Sequence, residues 1–267
     1  MKILKGPKAR ARRVLLYGQE GVGKSTWAAK APRPIFLDVE DGIGDLDVEK
    51  TERLETYSQV TDSISWLIRE PHDYQSLVID TVDWLEKVIW RQVCANGKVD
   101  SIEKYDKGFG KGYVAASDIW SDLLRGLDVL REQRSVNIIL LGHCQPVKVD
   151  SPETEAYQQF APDLHKTAAS MLREWADEVF FAAFRVFIRK EDAGFSKQRN
   201  IAVGKDDRFI QTRHSAGVQA KNRLPSLPPE IELSWSAYQS HWPKVASGNI
   251  AGIVSDGSSK QKEPISG

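Results

Sequence analysis

The stretch VLLYGQEGVGKSTWA, residues 14–28, constrains this chain more than any other. Gly18, Gly21, Gly23, Lys24 and Ser25 satisfy G-x-x-x-x-G-K-[ST], with an apolar run before and a helical pattern after, the setting in which that spacing forms a phosphate-binding loop. The glycines let successive backbone N–H groups turn inward around phosphate oxygens, where side chains would collide. Gly18, Gln19, Glu20, Gly21, Val22, Gly23, Lys24, Ser25 and Thr26 are therefore the expected ATP-binding segment. Lys24 is expected to reach the β- and γ-phosphates and Ser25 to ligate Mg²⁺, with the positive end of a helix starting near Lys24 adding to the attraction.

Composition narrows the rest. At 267 residues and 41% apolar, the chain has enough apolar material for a sizeable core in one large or two small domains. Its 37 basic and 37 acidic residues cancel, which excludes a surface coated in positive charge and confines any nucleic-acid contact to local patches. Cys94 and Cys144 show no C-x-x-C spacing and no companion histidine cluster, as expected of reduced thiols in a cytoplasmic protein and not of a disulfide or zinc site. The start MKILKGPKARARR lacks the apolar stretch of a signal peptide, and no 18-residue apolar run occurs, so a soluble intracellular protein with no membrane partner is expected.

Short apolar runs at 14–17, 34–39, 76–80 and 137–143 alternate with helical patterns near 24–31, 59–70, 81–95 and 114–133, the rhythm of βαβ units around a parallel sheet. From about 178 the texture changes: EVFFAAFRVFIRK, RNIAVG and RFIQTR read as antiparallel strands extending that sheet. LPSLPPEIELSW leads to a short last helix, and Trp66, Trp84, Trp90 and Trp120 at helical positions are expected in the core. The expected organisation is one α/β P-loop NTPase domain over 1–246, with a basic arm at 1–12 and a disordered Gly/Ser/Lys-rich tail at 247–267.

Hydrolysis of ATP needs one carboxylate near the magnesium and another group to orient water. LVIDTVDW supplies the first, an apolar strand ending at Asp80, the Walker B arrangement; capping of the following helix is the alternative role for Asp80. The next residue is Thr81, whereas many AAA+ ATPases carry their catalytic glutamate there. A second source is PIFLDVEDG, where a strand runs out into Glu40. Strand ends on the carboxyl edge of a parallel sheet converge on the ligand crevice, so Glu40 is the expected base, with Asp38 and Asp41 as lesser candidates. The competing reading is a solvated acidic turn.

A P-loop, a glutamate ending the next strand (FLDVE), a Walker B strand (LVIDTVDWL) and a polar-ended strand (IILLGHCQ) together resemble the RecA recombinase core, and more closely the phage-encoded RecA-like nucleotide-binding proteins, some of which promote single-strand annealing or recombination. The resemblance covers residues 13–145 by motif and extends to about 240 by layout, through QAKNRLP. It implies a three-layer RecA-like fold and an ATPase using Mg²⁺, with Lys24 and Ser25 on phosphate and metal, Glu40 as water-orienting base, and Asp80 as metal carboxylate. It makes His143 a sensor reporting the γ-phosphate to the DNA-binding side. RecA has glutamine in that role, Gln145 lies two residues on, and a plain capped strand end is the alternative. Only about a dozen residues precede the first strand, so filament assembly through a RecA-type N-terminal segment is not expected.

KYDKGFGKGY (104–113) interleaves Lys104, Lys107 and Lys111 with Tyr105, Phe109 and Tyr113, the mixture that stacks on unpaired bases while tracking phosphates, and single-stranded DNA is the expected partner. A loop whose aromatics pack back on the core is the competing reading. The basic N-terminus (Lys2, Lys5, Lys8, Arg10, Arg12, Arg13) is a further phosphate contact or a solvated arm. The resemblance also implies basic residues acting in trans within a homo-oligomer; Lys221 and Arg223 fit, with Arg213 as competitor and surface charge as the plain reading. The expectation is a Mg-dependent ATPase coupling nucleotide state to single-stranded DNA in phage-type recombination or annealing. A nucleotide-switched loader without turnover and a P-loop kinase are the alternatives.

Overall fold

A computed structural model of the chain describes residues 10–152, 154–192 and 198–243. Lys2, Lys5 and Lys8 of the basic arm and the tail expected at 247–267 lie outside the described residues. Strand β1 (Arg13–Gly18) occupies the middle of a sheet whose parallel part also contains β2 (Pro34–Asp38), β3 (Glu49–Lys50), β4 (Ser76–Asp80), β5 (Asn137–Val149) and β7 (Glu178–Asp192). β8 (Gln198–Gln211) and β9 (Glu230–Glu232) continue it antiparallel, giving the order β3-β2-β4-β5-β1-β7-β8-β9, while β6 (Tyr157–Pro162) pairs with the far half of β5.

The strands read as continuous apolar runs because both faces are covered. Leu15 and Tyr17 belong to one core with residues of helices α2 (Tyr57–Arg69), α3 (Val82–Gly97), α4 (Lys111–Arg134) and α5 (Lys166–Trp175). Val14 and Leu16 point the other way, into a core shared with α1 (Lys24–Ala28) and α6 (Trp235–Gln239). On that second face Trp27 of the phosphate-loop helix packs on Trp235 with ring centroids 4.7 Å apart. The architecture is three-layer α/β, as a RecA-like P-loop NTPase requires, and Arg10–Trp242 makes one contact-dense unit.

Pairing register brings the chemistry together. Gly18 lies opposite His143, Asp80 opposite Leu141, and Asp38 opposite Asp80, so the phosphate loop, the β5 histidine and both acidic strand ends leave the sheet along one edge.

Several expectations need correction. The first helix spans only Lys24–Ala28, not 24–31, so its dipole is that of little more than one turn and local N–H groups carry the attraction for anions. β5 does not stop at 143 but runs to Val149, because its second half finds a partner in β6. RNIAVG and RFIQTR are one strand, β8, bent where the register shifts opposite Phe184 and Val186. Trp120 is fully buried, but Trp66 is 50% exposed at the surface of α2.

Candidate nucleotide-binding site

The loop between β1 and α1 closes with Gly23 in the left-handed region (φ 100°), where a side chain would be strained. Gly21, Gly23, Lys24, Ser25 and Thr26 line an open cleft of about 300 Å³ together with Glu40, Gly42, Leu46, Asp80, Thr81 and His143. Four of these, Lys24, Ser25, Asp80 and His143, come from three different strand ends, assembled only by the register above.

Lys24 is buried, and its Nζ donates to the carbonyls of Gly18 (3.2 Å) and Gln19 (3.0 Å). Burial lowers its ammonium pKa, while the charges of Asp80 and Asp83 pull it back up. Ser25 Oγ donates to Asp80 Oδ2 at 2.5 Å. Burial, opposed by that hydrogen bond and aided by the neighbouring Glu40 charge, pushes the Asp80 carboxyl up to about 6. Lys24 compensates that buried carboxylate only in part, and a divalent cation would add to the compensation. The two oxygens, Ser25 Oγ and Asp80 Oδ2, are hard ligands of the kind magnesium takes from protein when phosphate oxygens and water complete its shell. Among the described residues no group of three or more His, Cys, Asp or Glu forms a cage of its own.

Glu40 follows β2 and is held over the cleft by Thr81, whose Oγ1 donates to Glu40 Oε2 at 3.0 Å. The Asp80–Thr81 peptide is cis. Asp38, the lesser base candidate, is buried and its Oδ1 accepts the Asp41 N–H at 2.7 Å, the work of a turn cap. Asp41, the other, has a left-handed backbone (φ 73°) and lies 3.9 Å from Arg53. Neither lines the cleft, whereas Glu40 does.

His143 is gripped from one side. Asp83, in the first turn of α3, accepts both the His143 backbone N–H and its Nδ1, each at 3.0 Å. That bond raises the imidazole pKa; on Asp83 burial pushes upward but the bonds from His143 outweigh it, leaving the carboxyl low. With Nδ1 committed to Asp83, Nε2 is the ring nitrogen left for a ligand. Gln145 Nε2 donates to the Leu164 (3.2 Å) and Pro162 (3.4 Å) carbonyls and does not line the cleft.

Other expected residues fall elsewhere. Gln19 turns its side-chain oxygen to the Phe184 N–H on β7 (3.3 Å), Glu20 is exposed, and Val22 is fully buried in the core. The 104–113 segment lines no part of the cleft. Lys104 and Lys111 pair with Asp100 and Asp106 at 2.8 and 2.7 Å. Tyr105 and Tyr113 pack back against the core, and Tyr113 stacks on His165 with centroids 4.2 Å apart. Phe109 stands clear, 99% exposed within a run of positive φ angles from Asp106 to Gly110, and Lys107 in the same run is exposed as well. Lys221 Nζ donates to the Arg173 and Glu174 carbonyls, Arg223 bonds Asp177 at 3.1 Å, and Arg213 donates to the Leu227 carbonyl at 3.2 Å. None of the three lines this chain's own cleft.

Sequence reading missed Thr81, Asp83 and Arg208. Asp83 was detectable, because a strand-ending Asp followed three residues later by another acid places both at one helix start. Arg208, whose Nη1 donates to the Val22 carbonyl at 3.3 Å, had no signal, since 184 residues separate it from Lys24.

Among the described residues no helix is long and apolar enough to cross a membrane. Against known proteins, 134 residues are 21% identical to the SPbeta prophage-derived uncharacterized protein YorG of Bacillus subtilis (strain 168), covering 49% of this chain and 40% of that relative's length. Residues 10–224, which carry the phosphate loop, Glu40, Asp80 and His143, match the AAA domain family, and the chain belongs to it as a nucleotide-binding, ATPase-type P-loop domain.

Proposed function

We propose that this chain is a Mg²⁺-dependent ATPase whose nucleotide state is coupled to single-stranded DNA in phage-type recombination or annealing. The observation that carries the ATPase reading is Glu40 in the same cleft as Lys24, Ser25 and Asp80, fixed by Thr81 rather than trailing into solvent. In this reading Lys24 exchanges its two carbonyl acceptors for phosphate oxygens, and Ser25 and Asp80 hold Mg²⁺. The ion, when bound, neutralises charge on the phosphates. Glu40 accepts a hydrogen bond from the attacking water and then its proton. His143, steadied by Asp83, presents Nε2 toward the terminal phosphate as a sensor. The base thus comes from the strand beside Walker B, where many AAA+ enzymes would use the position of Thr81.

Phe109, exposed at the tip of a strained loop, supports contact with unpaired bases, because a bare aromatic face is the element that stacks sequence-tolerantly. The lysines around it are partly spent on local acids, so stacking carries more of the contact than charge. Lys221 and Arg223 are assigned to a neighbour's nucleotide in a homo-oligomer, after release from the Arg173 and Glu174 carbonyls and from Asp177. The working domain is 1–246 and the place of action the cytoplasm, of the host cell if the protein is phage-encoded.

ATP hydrolysis measured with and without single-stranded DNA tests the reading. Lys24→Ala is expected to lose ATP binding by 100-fold or more, and Glu40→Gln to bind ATP without turning it over, about 100-fold down in kcat. Retained binding in the first, or unchanged turnover in the second, removes the assigned roles. ATP affinity with near-zero turnover in the unmodified chain would mark a nucleotide-switched loader. Stimulation by nucleosides instead of DNA would mark a kinase.

A further inference from the structure

The phosphate loop is tied down from outside by the C-terminal strands β7 and β8. β7 and β8 run past the end of β1. From β8, Arg208 Nη1 donates to the Val22 carbonyl at 3.3 Å. The same nitrogen lies 2.8 Å from where a Cβ on Gly23 would sit, with Leu233 Cδ2 at 3.7 Å behind it. From β7, the Phe184 N–H bonds Gln19 Oε1 at 3.3 Å. The left-handed backbone is what requires glycine at Gly23, and the end of the Arg208 guanidinium occupies the space a Cβ would take.

The Val22–Gly23 peptide is trans, so its C=O and N–H point in opposite directions. With the carbonyl turned to Arg208, which is no part of the cleft lining, the Gly23 N–H points away from Arg208, and Gly23 itself lines the cleft. A cation on the carbonyl of a peptide strengthens the donor at its N–H end, because hydrogen bonds in series polarise one another. It also fixes the plane of that peptide, so less order is lost when an anion binds.

We propose that Arg208 is a positioning residue for the nucleotide: holding the Val22 carbonyl from outside the loop, it aims and polarises the Gly23 N–H toward a bound phosphate without touching the phosphate itself. This rests on the ATP-binding reading above and adds to it a role for the C-terminal strands, which otherwise lie beyond the four motifs. Its effect falls on ground-state and transition-state binding alike, so it acts on affinity and leaves the chemical step alone.

The test is calorimetric titration of the full chain with Mg·ATP and with ADP, alongside thermal melts without nucleotide. Arg208→Ala is expected to raise Kd for both nucleotides about 3- to 10-fold, the range of a partly solvated charge-assisted hydrogen bond, with binding stoichiometry unchanged. Arg208→Lys, which keeps a cation but not the planar fork, is expected to recover part of the loss. In turnover, KM rises and kcat holds. A parental Kd in Arg208→Ala overturns the proposal. So does a fall in stoichiometry or melting temperature at unchanged Kd, the signature of a merely structural contact. If the unmodified chain binds no ATP, the nucleotide reading falls first; if it binds and only the Arg208 variants behave as parent, this inference alone falls.

Discussion

At one edge of the parallel sheet Asp80 is buried beside Lys24 and Ser25; at the other, Asp177 is buried where β7 begins, and both are at most 5% exposed. Their carboxyls move in opposite directions. Asp177 meets Arg10, Arg13 and Arg223 at 3.1 to 3.2 Å and Arg131 at 3.6 Å. Burial pushes it up, but that crowd of guanidiniums, Arg13 first, outweighs burial and holds it low. Asp80 is pushed up to about 6 chiefly by burial, with the neighbouring Glu40 charge aiding it and the one buried ammonium nearby, Lys24, opposing it. The difference separates a structural ion cluster from the candidate binding site. The first is compensated within the chain, and its cost is met by hydrogen bonds that fold with it. The second carries a deficit that an incoming ligand is left to fill. Glu86, on α3, belongs with Asp80: buried, bonded through one oxygen to the His165 N–H (2.9 Å) and through the other to nothing among the described residues, it is pushed up to about 7 by burial.

The largest expected effect is at the compensated edge. Asp177→Ala leaves four guanidiniums facing one another and should cost about 3–5 kcal/mol in urea unfolding; a loss under about 1 kcal/mol would erase the contrast. Glu86→Gln should do the reverse. A raised carboxyl contributes stability that is fully present below its unfolded value of 4.5 and lost as pH climbs through about 7, so the parent is penalised at high pH. At about 1.4 kcal/mol per pKa unit the variant should gain up to about 3 kcal/mol at pH 8.5 and less than about 1 at pH 5; a pH-independent gain would mean packing, not charge. Asp80→Asn should stabilise the nucleotide-free chain at pH 8 by about 1–2 kcal/mol, the cleft's openness trimming the effect, while removing the magnesium dependence of ATP binding. Destabilisation there would place Asp80 with Asp177. Smallest is Phe109→Ala, within about 0.5 kcal/mol of the parent in stability because the ring touches little, yet several-fold weaker on a single-stranded oligonucleotide. Unchanged oligonucleotide affinity would strip the loop of its role.

Much of this was legible in the chain. The phosphate loop, the Walker B strand and Glu40 announce themselves because each is a short apolar run ended by a polar residue, and that pattern is local. The strands after 178 are readable for the same reason, although β7 runs parallel to β1 and only β8 and β9 continue the sheet antiparallel, and one strand looks like two where a bulge interrupts the alternation. The lysine–aromatic loop is legible only as two alternatives: its composition is the same whether Tyr113 stacks on a base or on His165, and packing shows the second contact. Trp66 shows the same weakness, since helical spacing places it on a stripe without saying whether another element covers that stripe.

The amino-acid order by itself determined which backbone segments become strands and where glycine must bend the chain around an anion, because those depend on neighbours a few residues away. Strand order and register decided the rest: that His143 lies across from Gly18, that Asp83 rather than solvent takes its Nδ1, and that Arg208 reaches Val22 from the far side of the sheet. Electrostatic surplus and deficit arise from charges far apart in the chain and a few ångströms apart in space, so only the folded arrangement fixes which carboxylate is satisfied and which awaits a ligand.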